Sequence, residues 1–288
     1  RTFCAEEISP LVIREAEKEA RETQFLVAVG GGKIIDTAKV ASFNTDRQFI
    51  SVPTAASHDG IASASASVPT PEGNLSLRAH PPVAVVADTG VIASAPHQLL
   101  ASGCADLISN LSAVLAWELA HRLKGEAISE YASTLSRMTA EAMIRNADLV
   151  KPNTEETAWM VVKALVASGV AMSIAGASRP ASGGEHKFSH ALDRIAPGKG
   201  LHGEKCGIGT IITLILHGGD WQGAREAARK IGAPPTLREI GIADAEADHI
   251  HPARTLLGYL PLHLGKQIGS QVVHPPGEPH ACPLARRA

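Results

Sequence analysis

His186 and His190 lie four residues apart in Gly183-Gly184-Glu185-His186-Lys187-Phe188-Ser189-His190. On a helix, positions i and i+4 share a face, an arrangement that can hold a borderline metal ion through two imidazole nitrogens. A third histidine, His202, follows 12 residues after His190 in Gly200-Leu201-His202-Gly203-Glu204. Catalytic zinc takes three protein ligands and keeps one position open, and two histidines with a carboxylate are an accepted set. Asp106 offers that carboxylate from the apolar stretch Ala101-Ser102-Gly103-Cys104-Ala105-Asp106-Leu107-Ile108. An unpaired acid there is costly, whereas a metal ligand is compensated. Spacing leaves open which two of the three histidines bind. The chain has 13 histidines, so a pair at this spacing is as readily a surface pair or a hydrogen-bonded core residue.

A second constellation lies near the N-terminus. Phe25 to Val29 is a short apolar run, followed by Gly30-Gly31-Gly32 and a helical pattern from Lys33 to Ser42. Strand, glycine turn and helix N-terminus together suit a phosphate, because the backbone can come close and free N–H groups face the anion. The turn is neither of the common phosphate motifs. A GxGxxG count from Gly30 ends on Ile35, and Gly32-Lys33 is followed by Ile34 rather than Ser or Thr. The loop Pro53-Thr54-Ala55-Ala56-Ser57-His58-Asp59-Gly60 follows the next apolar run. Ligands sit at the carboxyl ends of strands in open α/β sheets, so this loop is expected to face the same crevice, with Asp59 as an acid in apolar company.

These groups need elements to hold them. The Ser9-Pro10 pair starts an amphipathic helix running to Thr23, with Leu11, Val12, Ala16 and Ala20 on one side. Phe49 to Val52 and Val83 to Ala87 read as further strands flanking a Ser/Ala/Thr-rich loop. From Pro96 onward helical patterns dominate, at Gln98 to Leu123, Ser129 to Val150, Glu155 to Ala175 and Glu204 to Ile231. The fold class is therefore α/β: residues 1–93 form a parallel-sheet nucleotide-binding domain and residues 94–288 an all-helical metal- and substrate-binding domain. Residues 273–288, rich in Pro and His and without periodicity, are expected to be a disordered tail.

Composition narrows the class. With 288 residues, 44% hydrophobic and 19% charged, the chain can bury a sizeable core. A net charge of −2 and 3% aromatics offer neither a basic surface nor stacking platforms for nucleic acid. Cys4, Cys104, Cys206 and Cys282 are widely spaced, which suits a reducing, cytoplasmic setting rather than a disulfide framework. No run of about 18 uninterrupted apolar residues suggests a membrane span.

The strings GGGKIIDTAK, SVPTAASHDGIASASASV, SGCADLISN, SGVAMSIAGASRPASGGEHKFSHALD and LHGEKCGIGT resemble the glycerol-1-phosphate dehydrogenases. These belong with the iron-containing alcohol dehydrogenases, glycerol dehydrogenase and dehydroquinate synthase. The resemblance runs from about Gln24 to about Leu257. It implies a dehydroquinate synthase-like fold and zinc held by Asp106, His186 and His202, with His190, Asp59 and Asp106 contacting substrate. It places NAD or NADP on Gly32, Lys33, Ile34, Ile35, Asp36, Thr54, Ala55, Ala56, Ser57 and Ser63. The implied reaction reduces dihydroxyacetone phosphate to sn-glycerol 1-phosphate, the backbone of archaeal-type ether lipids, with His190 or a zinc-linked water as proton relay. Arg179, Lys187 and Lys205 lie in segments suited to the substrate phosphate. Glycerol dehydrogenase-like and dehydroquinate synthase-like activities, or an inactive fragment, are the alternatives. Further strand–helix units ahead of the glycine turn are implied too, so the chain is expected to be truncated at its N-terminus. His251 to Thr255 matches a more arginine-rich segment, and the match ends after about Gly258. Homo-oligomerisation and the choice between NAD and NADP stay open.

Overall fold

The computed structural model describes residues 2–70 and 73–242; the expected tail and the segment His251 to Thr255 lie outside them. Helix α1 (Pro10–Arg21) starts as its sequence dictates, with Ser9 accepting a hydrogen bond from the Val12 N–H at 3.3 Å and Pro10 in the first turn. Its buried face is Ile13, Ala16 and Ala20, while Leu11 is exposed. The expected face was therefore rotated, because α1 packs on its neighbour through a narrow stripe around Ile13 rather than through Leu11.

Strands β1 (Phe25–Gly30) and β2 (Gln48–Pro53) flank helix α2 (Gly32–Thr45) and pair in parallel. Short β5 (Ala84–Val85) joins β2 to complete a sheet of order β1-β2-β5. Only two residues of the expected run from Val83 to Ala87 are strand. β1 is an edge of this sheet, with Phe25, Val27 and Val29 exposed.

The segment read as a loop holds an antiparallel hairpin, β3 (Ser65–Thr70) and β4 (Gly73–Arg78). Small residues disguised its alternation, but Ala66 and Val68 are buried and pack with Ile8, Ile13 and Val40. Lys39, fully buried, fastens the hairpin to α2. Its Nζ donates to Asp36 Oδ1 at 3.1 Å, the Gly60 carbonyl at 2.8 Å and the Ser65 carbonyl at 2.6 Å. Three acceptors, one of them charged, satisfy a cation that burial would otherwise penalise heavily.

After α3 (Thr89–Ser94) come the helices α4 (His97–Lys124), α5 (Glu130–Arg145), α6 (Glu155–Ala175), α7 (Gly184–Ile195), α8 (His202–His217) and α9 (Trp221–Ile231). The single helix expected over Glu204 to Ile231 is two. Gly218 takes a left-handed conformation at φ 69°, and Asp220 caps α9 by accepting from the Gly223 N–H at 2.8 Å. Helices α4 and α6 are long and apolar enough to cross a bilayer by length and composition, but 78% of the apolar stretch of α4 is buried within the protein, against 44% for α6.

Helix α4 is the axis of the helical half. It passes so close to the loop after β2 that a Cβ at Gly103 would lie 2.1 Å from the Ala56 carbonyl oxygen. On its other side, a Cβ at Gly203 of α8 would lie 1.9 Å from the Ser102 carbonyl oxygen. Ser102 joins the three segments: its Oγ donates to the Ser57 carbonyl at 3.0 Å and accepts from the Gly203 N–H at 3.1 Å. Gly103→Ala must push α4 off the loop, and we expect a stability loss of about 1–3 kcal/mol, read by denaturant unfolding. An unchanged midpoint would show that the close approach is dispensable.

Candidate metal centre and its cavity

Asp106 sits on the inner face of α4, 3% exposed. Its Oδ2 accepts the Asp59 N–H at 2.9 Å, but its Oδ1 has no hydrogen-bond partner among the described residues. That oxygen faces two imidazoles: His202 Nε2 at 3.6 Å and His186 Nε2 at 3.9 Å. The rings of His186 and His202 are 5.0 Å apart at 64°. In a tetrahedral zinc site with bonds of about 2.0–2.3 Å, neighbouring donors lie about 3.3–3.8 Å apart. The orphaned oxygen is therefore close to ligand spacing from both nitrogens, without a direct hydrogen bond to either. Asp106, His186, His202 and Cys206 place one donor atom each within 4.8 Å of one another.

His190, one turn after His186, is outside this group and lines the same cavity. The i, i+4 relation put both histidines on the cavity side of α7. Tertiary packing, by laying the N-terminus of α8 against α4, brought His202 to the carboxylate.

The neighbours hold these side chains in place. Glu185, fully buried, accepts from the Gly183 N–H at 2.5 Å and from Ser112 Oγ at 2.8 Å, and its Oε1 is 3.1 Å from His186 Nδ1. A carboxylate behind a ligating imidazole fixes its tautomer and turns Nε2 outward. Glu204 caps α8 by accepting the Leu201 N–H at 2.6 Å, and it also accepts from Gln98 at 2.8 Å, so the first turn carrying His202 is anchored to α4. Asp59, half-buried, is positioned by Ser168 of α6, whose Oγ donates to its carboxylate at 2.9 Å. Sequence reasoning did not single out Glu185, Cys206 or His58; the available signal was their adjacency to His186, His202 and Asp59.

Burial raises Asp106 from its ordinary 3.8 to about 7, and the nearby charge of Asp59 adds to the effect. Burial, helped by the neighbouring His186, holds His202 well below the usual histidine range. The same two causes lower His190. His186 goes the other way: burial lowers it, but Cys206 and Glu185 beside it raise it well above the usual histidine range.

The metal group opens into a cavity of about 350 Å³ that also takes in the N-terminal end of α2. Gly32, Lys33, Asp36, Asp59, Ser63 and His190 line it. A Cβ at Gly32 would lie 2.3 Å from His58 Nε2, so any side chain there has to displace the His58 ring. Of the other expected cofactor residues, Ile35 is fully buried in the core, so only its backbone could face a ligand. Asp36 is engaged by Lys39 and by the Ser67 N–H at 3.0 Å, which makes it a support for the hairpin. Ile34 and Thr54 to Ser57 are not among the cavity-lining residues, and Ala56 and Ser57 face α4 through their carbonyls. Among the three cations considered for a substrate phosphate, Lys205 lines the cavity, 6% exposed and paired with Asp193. Arg179 is bound in a two-pronged contact by Glu126, and Lys187 is exposed outside the cavity lining.

Residues 4–96 match the iron-containing alcohol dehydrogenase family. The chain is 69% identical over 242 residues to a glycerol-1-phosphate dehydrogenase [NAD(P)+] of Methanoregula boonei, covering 84% of this chain and 67% of that protein. A protein of the same description from Methanoculleus marisnigri is 69% identical over 247 residues, covering 85% of this chain and 69% of it. The fold is similar to the crystal structure of a probable glycerol dehydrogenase from Sinorhizobium meliloti 1021, with a TM-score of 0.76 and 25% identity, over 91% of this chain and 78% of that one.

In metal-stripped protein, the raised Asp106 keeps a proton that the unfolded chain has released. Its contribution to stability therefore declines as pH rises from about 4 to about 7 and levels off above. Asp106→Asn has no such decline. The stability advantage of metal-stripped Asp106→Asn over the unsubstituted protein should widen across that window and then stay constant. A gap that narrows with rising pH would mean the carboxylate is compensated without a metal.

Proposed function

The chain belongs to the glycerol-1-phosphate dehydrogenase family, and on that premise we propose that it reduces dihydroxyacetone phosphate to sn-glycerol 1-phosphate with NADH or NADPH at this cavity. One observation carries the reading: the unpartnered, buried Oδ1 of Asp106 faces His186 and His202, which line a cavity that also receives the N-terminus of α2. The donor set fits a divalent ion, and zinc is the ion we assign to Asp106, His186 and His202. When bound, it supplies Lewis-acid polarisation of the carbonyl to be reduced.

The chain's own groups do the rest. Helix α2 presents Gly32 and Lys33 to the cavity, where the free N–H groups of its first turn suit the cofactor's pyrophosphate. Glu185 keeps His186 aimed at the centre, and Ser168 keeps Asp59 beside it. Asp59 and His190 are placed to hold the substrate's hydroxyl groups, and His190 can pass on the proton that the developing alkoxide requires. Lys205, paired with Asp193, is assigned to the phosphate. The product has the chemistry of a glycerol phosphate lipid backbone, and we place the enzyme in ether-lipid synthesis.

Oxidation of NADH or NADPH on adding dihydroxyacetone phosphate, lost with a chelator and restored by zinc, is the expected result. Turnover that is indifferent to metal, or equal on unphosphorylated dihydroxyacetone, would refute the reading. Lys205→Met should raise KM for dihydroxyacetone phosphate tenfold or more, on the order of one lost charge-assisted hydrogen bond, and leave the weak reaction with dihydroxyacetone unchanged. An equal loss on both substrates would remove Lys205 from the phosphate site.

A further inference from the structure

Cys206 is fully buried, and a buried cysteine is by default a small apolar side chain. Cys104 fits that description, since it lies in the main apolar core. Cys206 does not. It belongs to none of the apolar clusters among the described residues. It is one turn after His202 on α8, which places both side chains on the same face. Its Sγ is 3.6 Å from His202 Nε2 and within the 4.8 Å group formed with Asp106 and His186. The buried Oδ1 of Asp106, without a partner, points into that same group.

The three separations known individually, 3.6 and 3.9 Å from Asp106 Oδ1 to the imidazoles and 3.6 Å from sulfur to His202, are near the edges of a tetrahedral site. With nitrogen and oxygen at about 2.0–2.2 Å and sulfur at about 2.3 Å from a central zinc, sulfur-to-nitrogen edges come to about 3.5 Å, close to the distance observed. We propose that Cys206 is a fourth protein donor to the metal in the substrate-free protein, exchanged for the substrate oxygen during turnover, giving a resting Asp/His/His/Cys site that selects zinc over harder divalent ions. This rests on the metal-site reading above. Coordination converts the thiol to thiolate, its proton passing to solvent as the metal enters. A soft thiolate discriminates among divalent ions in a way that two imidazoles and a carboxylate do not, because the latter set also suits iron and manganese.

X-ray absorption at the zinc edge of the zinc-loaded full chain tests this, with metal per chain measured on the same sample. One sulfur neighbour at about 2.3 Å beside nitrogen and oxygen neighbours at about 2.0–2.2 Å is expected. Replacing Cys4, Cys104 and Cys282 together should leave that sulfur in place, which identifies Cys206 without altering it. Cys206→Ser should lose the sulfur and weaken zinc against a competing chelator at least about tenfold, with a smaller effect on manganese. Zinc bound one per chain with nitrogen and oxygen neighbours alone overturns the proposal and leaves the three-ligand site standing. A sulfur that disappears with the other three cysteines also overturns it. No bound zinc removes this proposal and the metal-site reading together.

Discussion

A carboxylate buried in the middle of a helix bundle is the constraint around which this protein is arranged. Water is excluded from Asp106, one of its oxygens is satisfied by a backbone N–H and the other is left facing imidazole nitrogens. Removing such a group from water without compensation costs several kcal/mol, and its raised pKa reports that cost. His202, held well below the usual histidine range by burial, does not supply positive charge to it. A metal cation can, so the feature that is costly to bury also gives the site its affinity.

Bringing the donors together demands close approach between segments distant in sequence. The loop after β2, helix α4 and the start of α8 meet where Gly103 and Gly203 leave no room for side chains. Ser102, with one hydroxyl, hydrogen-bonds to both neighbours. On the other side of the cavity, Lys39 and Asp36 bind α2 to the hairpin and to the loop after β2 through a buried ion pair, two carbonyls and one backbone N–H. These polar contacts add to an apolar core that runs across the junction, from Ile35, Phe49 and Ile61 to Leu107 and Leu165.

Much of this was legible in the chain itself. The strand, glycine turn and helix over residues 25–45 and the Ser9 cap follow from local chemistry, and local chemistry is what a sequence displays. The histidines were legible as a metal set but not as a particular pair. His186 and His190 are neighbours by helix geometry, whereas the approach of His202 depends on how α8 packs on α4, which spacing does not encode. The hairpin of β3 and β4 was hidden because Ser, Ala and Thr give weak alternation. Gly218 was readable as a break between α8 and α9, yet the apolar pattern on both sides masked it. Asp36 was visible as an acid near the cofactor turn; that it serves Lys39 depends on a buried lysine, which composition argues against.

A crystal of the zinc-loaded protein, with diffraction measured on both sides of the zinc absorption edge, addresses the central claim most directly. One anomalous peak is expected about 2.0–2.2 Å from Asp106 Oδ1, His186 Nε2 and His202 Nε2, with His190 outside its coordination shell. A peak shared by His186 and His190 with Asp106 out of reach would contradict it, as would a site where Asp106 Oδ1 has found a protein donor and no metal is present.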